Sequence, residues 1–241
     1  MTITVIGHLC MDIVEVAERG SAPQVREQFG GIAYALSALA ALTQPSDSIV
    51  PVFGVGEADQ ERLMAYLGRF PNIVTKGLYG FKEPTNRVRL LYEENGARRI
   101  ECSHHISEPI PFQRIKPHLN ADGILINMVS GRDITLATLD AVRMETRDRG
   151  MPIHLDLHSL TLGIDGTQHR FRRPLTDWRR WCFMISSLQM SEEEAAGIAS
   201  ERYTEDQLIN QMMPLMVGAL LITRGSRGAT LVEQEHKKLR R

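Results

Sequence analysis

The residues of this chain that could do chemistry sit in short glycine-rich or polar stretches, most of them following an apolar run. The first is 7–12, ending in Asp12, and the second is Gln28-Phe29-Gly30-Gly31, which opens the apolar segment 32–42. Residues 54–59, 156–159, 186–192 and 223–228 complete the set. Paired glycines let the backbone take positive φ and come close to a ligand. A helix opened by them presents unpaired N–H groups and the positive end of its dipole, which suits a polar or anionic ligand. The same residues equally suit a tight loop feeding a core helix. Where strands precede them, 7–12, 54–59, 156–159, 186–192 and 223–228 lie where open α/β sheets bind ligands, outside the C-terminal strand ends.

Several simpler chemistries are excluded. Gly54-Val55-Gly56 begins like a dinucleotide fingerprint, but Asp59 stands where its last glycine belongs, and no Walker A segment occurs. His104, His105, His154 and His158 lack a carboxylate or cysteine at metal-ligand spacing and read as surface or cleft-lining side chains. The three cysteines are too far apart for a zinc knuckle or a disulfide framework, which suits a reducing cytoplasm. A formal net charge of −1 gives no footprint for nucleic acid, and no apolar run approaches the length that spans a bilayer.

The elements that must position these stretches follow from periodicity. A chain of 241 residues, 43% hydrophobic, is long enough for one large α/β domain, taken as 1–241. Short β-rich runs at 2–7, 48–56, 72–74, 123–127, 152–156, 182–186 and 219–223 alternate with helical spacing at 32–42, 57–69, 134–149 and 204–216. Ser191 is an N-cap followed by an acidic first turn, Glu192 to Glu194. This alternation predicts a three-layer α/β/α domain, a mostly parallel sheet with helices on both faces. The rhythm breaks once: alternating runs around Glu94-Asn95-Gly96 read as a hairpin outside the main sheet, pairing with the strand 12–16. Residues 163–174 read as a polar surface excursion.

In this order and spacing, Val5-Ile6-Gly7 through Asp12, Gly30-Gly31, Gly54-Val55-Gly56 with Asp59, Thr85, Gln189 to Glu192 and Leu221 to Gly228 resemble the ribokinase-like (PfkB) carbohydrate and nucleoside kinases. The resemblance implies a small β lid, strands roughly 12–16 and 86–103, over a sugar site. It implies that Asp12, Gly30, Gly31 and Tyr34 bind a polyol substrate, a carboxylate and exposed peptide groups being suited to hydroxyls. It further implies ATP along Gln189, Thr223, Gly225, Ser226 and Gly228, and Mg2+ placed by Glu192, since a carboxylate acting through bound water suits a hard ion. An exposed lid edge is open to pairing between two subunits.

The departures are equally specific. Cys10 and Tyr34 stand where ribokinases proper carry ribose-holding asparagines, Gln189 replaces the asparagine of N-x-x-E, and Val129 and Ser130 fall near an acidic substrate contact. The family's G-A-G-D-like segment, with its anion hole and aspartate base, does not occur among these residues. The base is therefore expected beyond Arg241. The alternative is a non-catalytic sugar- or nucleotide-binding protein, since loss of a general base typically costs ~10²–10⁴-fold in rate.

Overall fold

The computed structural model describes residues 1–16, 23–92, 99–215 and 217–234. The turn at Glu94-Asn95-Gly96 and residues 235–241 lie outside the described residues. The chain runs through β1 (Thr2–Gly7), β2 (Leu9–Val16), β3 (Gln24–Gly31), α1 (Ile32–Leu42), β4 (Ser48–Gly56), α2 (Glu57–Leu67) and β5 (Leu78–Phe81). It continues with β6 (Asn86–Tyr92), β7 (Arg99–His104), α3 (Phe112–Ile115), β8 (Gly123–Asn127), α4 (Leu136–Thr146) and β9 (Ile153–Asp156). Then come β10 (Leu162–Ile164), β11 (Arg170–Arg172), α5 (Trp178–Phe183), β12 (Ser187–Ser191), α6 (Glu192–Gly197), α7 (Glu205–Met212), β13 (Ala219–Thr223) and β14 (Ala229–Glu233).

Eight strands form one sheet in the order β14-β13-β12-β9-β8-β1-β4-β5, parallel except for β14. The central strands are near-continuous apolar runs because both faces are covered. Val5, Ile6, Ile126, Ile153 and Leu155 are fully buried. A second sheet, β3-β2-β6-β7, stands apart: β2 pairs antiparallel with β3 and parallel with β6, and β6 pairs antiparallel with β7.

Three local readings need correction. The strand at 72–74 is reduced to a single bridge between Ile49 and Ile73. Ile49 donates its N–H to Asn72 on that side, but Pro51, two residues on, has no N–H to continue the ladder. The edge resumes only where Phe53 meets Leu78. The apolar run 182–186 is not a strand: Trp178, Trp181 and Cys182 fall at helical spacing and are buried together on α5, and the strand follows at Ser187. Short apolar runs carry this ambiguity because either element can bury them. Third, α1, the core helix that the glycine pair would feed, is buried on one face only. Ile32, Ala33 and Leu36 enter the core, while Ala35, Ala38, Leu39 and Leu42 front an open cleft.

Candidate active site

That cleft, about 720 Å³, lies between the small sheet, α1 and the C-terminal ends of the central strands. Asp12 on β2 is its most constrained group, with only 7% of its surface exposed. Its carboxylate accepts from the Cys10 thiol at 3.1 Å and from the Tyr34 hydroxyl at 2.9 Å. The Gln28 amide in turn donates to the Tyr34 oxygen at 2.7 Å. Burial, reinforced by Asp12, pushes the Tyr34 phenol up to about 12 and the Cys10 thiol well above its ordinary range. Both therefore stay protonated as donors at neutral pH.

The two glycines serve different purposes. A Cβ on Gly30 would stand 2.1 Å from Asp12 Oδ2, so only glycine lets the carboxylate lean across β3. Gly31, at φ 59°, turns the chain into α1 where a Cβ would strike Val129 at 2.5 Å. Beneath them, Asp133 joins two strand-end loops: it accepts the His8 N–H at 2.6 Å, the Ser130 N–H at 2.9 Å and the Gly131 N–H at 3.1 Å.

The main sheet contributes Asn127, His154, Asp156 and Gln189, and the turn after β9 contributes His158. Asn127, 8% exposed, keeps its side-chain oxygen without a hydrogen-bond partner among the described residues. Burial raises the Asp156 carboxyl, partly opposed by His158 and helped by Glu194; burial lowers the His154 imidazole. Both effects disfavour charge at the strand ends.

Of the residues singled out from sequence, Asp12, Gly31, Tyr34 and Gln189 line this one cleft, with Gly30 against Asp12. Thr223, Gly225, Ser226 and Gly228 lie at the end of β13 and its turn, two strands beyond β9. There Thr223 sits in register with Ser191, and the positive φ of Gly225 and Gly228 faces open space. Glu192 forms ion pairs with Arg227 and, at 3.6 Å, with Arg224. Glu194 instead completes the capping box with Ser191. Glu101, Asn127 and Asp156 were not assigned from sequence, although 156–159 was marked as a strand-end stretch; a lone Glu in a charged hairpin carries no motif.

No protein-family model matches the chain, and no curated protein is similar to it in sequence. Solved structures are similar in fold. A pyrophosphate-dependent kinase in the ribokinase family, in complex with sulfate, superposes with a TM-score of 0.77 at 12% identity, over 96% of this chain and 76% of that one. A pyrophosphate-dependent kinase of that family with a pyrophosphate analog and myo-inositol gives 0.75 at 12%, over 96% and 75%. Arabidopsis thaliana ribokinase complexed with ribose and ATP gives 0.70 at 19%, over 98% and 75%. The chain therefore has the ribokinase-like fold, a large mostly parallel sheet with helices and a small second sheet.

Proposed function

We propose that this chain holds the acceptor and donor sites of a sugar or nucleoside kinase, phosphorylating a hydroxyl of a small polyol with ATP and magnesium. The observation that carries this reading is the cleft itself. It joins Asp12 to the unpartnered oxygen of Asn127 and to Asp156, presenting acceptors to hydroxyl donors beside the strand ends. The small sheet acts as the lid, with Gly30 and Gly31 as the floor of the polyol site. Gln189, Thr223, Gly225, Ser226 and Gly228 would lie along the nucleotide.

Magnesium would supply charge neutralisation on the transferred phosphate. Glu192, at the start of α6 and paired with Arg227 and Arg224, is the carboxylate that would place the ion through bound water. A second reading is a sugar- or nucleotide-binding protein of the same fold without turnover.

A thermal-shift screen of sugars, cyclitols and nucleosides, with and without ATP and magnesium, tests the site, and a coupled ATPase assay tests turnover. Asp12→Ala should abolish the polyol shift and spare the nucleotide shift. An unchanged polyol response in that variant would refute the assignment. Polyol binding without turnover would select the second reading.

A further inference from the structure

The cleft carries a second carboxylate from the small sheet. In the register of β2, β6 and β7, Asp12 is paired with Val88 and Leu90 with Glu101. Residues two apart on a strand share a face, so Asp12, Val88, Leu90 and Glu101 all face the cleft, and all four line it. Strands are spaced about 4.8 Å apart and rise about 3.3 Å per residue, so two strand spacings and the two-residue offset between positions 88 and 90 separate the two acidic positions by roughly 12 Å on the diagonal. Opposite hydroxyls of a six-membered polyol ring span about 5–6 Å, and a hydrogen bond of about 2.8 Å at each end brings the total near that separation.

A buried cation stands behind Glu101. Arg170 on β11, with a side chain only 4% exposed, lies 3.9 Å from Glu101 Oε1. The same guanidinium donates to Ser103 Oγ and to the Ser130 carbonyl, both at 2.8 Å. The segment leading into β11 is itself laced to β7, through the Ser103 N–H to the Gln168 carbonyl at 3.0 Å and the bridge between Cys102 and His169. One buried side chain thus joins β11, the small sheet and the loop after β8. Among the described residues, meanwhile, Asp12 is met only by uncharged donors and no lysine or arginine lines the cleft. Recognition of a carboxylate or phosphate on a sugar calls for such a cation, most often a forked arginine contact.

We propose that Glu101, positioned by Arg170, is a second acceptor-binding carboxylate, and that with Asp12 it admits uncharged polyols and rejects their acidic counterparts. The proposal rests on the polyol reading given above. Isothermal titration calorimetry on the full chain, using myo-inositol and the pairs glucose with glucuronate and galactose with galacturonate, tests it. Neutral members should bind at least tenfold more tightly than their acids. Glu101→Gln should weaken neutral binding by about tenfold, the difference between a charged and a neutral acceptor, and should shrink the preference over the acid by a similar factor. Arg170→Lys keeps the charge but loses the fork; it should weaken neutral binding in the wild-type background and add nothing in the Glu101→Gln background. A purely structural role would leave the neutral-to-acid ratio unmoved in every variant and would overturn the proposal. So would an acid that binds as tightly as its neutral partner. Where Arg170→Lys fails to fold, the Glu101→Gln ratio decides alone. Absence of binding by every neutral polyol would refute the polyol reading itself, and this proposal with it.

Discussion

At the scale of single residues, Asp12 is held by its neighbours before any ligand arrives. Its two donors are groups whose ionisation has been pushed out of the neutral range, Tyr34 to about 12 and Cys10 upward. A raised folded-state value means that the folded chain keeps the phenolic proton between pH 10 and about 12, where the unfolded chain loses it. Phenolate absorbance followed through alkaline pH should therefore show a late transition near 12 that disappears in Tyr34→Phe. A Tyr34→Phe titration identical to that of the wild type would dissociate the phenol from Asp12. Asp12 was legible in the sequence because it follows a strand that ends in glycine. Asn127 was not: an asparagine closing an apolar strand is common, and only burial without a partner marks it out.

At the scale of elements, the loops that carry the site are fixed by buried carboxylate and cap interactions of unequal weight. Asp133 is fully buried and takes three backbone N–H groups from two loops. Asp133→Ala leaves them without a partner, and at about 1–3 kcal/mol for each buried unsatisfied group the loss should exceed roughly 3 kcal/mol in urea unfolding. Thr204, in the capping box with Gln207 at the start of α7, is a local contact. Thr204→Ala should lower stability by about 1 kcal/mol. Equal losses in the two variants would contradict this ranking.

The repeating strands and helices were readable because parallel strands covered on both faces are apolar throughout. The hairpin was readable from its flanking alternation, although its turn falls outside the described residues. β3 escaped notice because Gln24-Val25-Arg26-Glu27-Gln28 is exposed and mostly polar, and its strand form comes from pairing with β2. Arg170 escaped for a related reason: in a polar stretch, nothing local distinguishes a buried arginine from an exposed one. Its partners are 40 to 69 residues away along the chain.

Across the whole molecule, the cleft separates two sheets, so a ligand that bridges them should stabilise both. A polyol present at a hundredfold over its Kd should add about 2.7 kcal/mol to unfolding by mass action. Protons act on the same region. Burial lowers His154 below its ordinary 6.5, so the folded chain holds it neutral while the unfolded chain takes up a proton. This contribution is fully present above pH 6.5 and is lost as pH falls through the folded value. The raised Asp156 carboxyl has the opposite sign: its contribution is present at acidic pH and is lost as pH rises through its folded value. Between pH 7 and 5, His154→Asn should therefore lose less stability than the wild type. An identical pH dependence would show that His154 is solvated. Among the described residues no helix is long and apolar enough to cross a membrane.

The contact between Gly30 and Asp12 also constrains how this sequence can change over generations. With 2.1 Å between a would-be Cβ and the carboxylate oxygen, position 30 is not free to drift while the acid stands at 12. A descendant that gains a side chain at 30 must first have shortened or lost the acid at 12, because the reverse order passes through a clashing intermediate. Once the acid is gone, the constraint on 30 lifts and that position should diversify. An alignment of relatives should therefore show glycine at 30 wherever an acid stands at 12, and mixed residues elsewhere. Frequent pairing of an acid at 12 with a bulky residue at 30 would mean that the carboxylate can take another path.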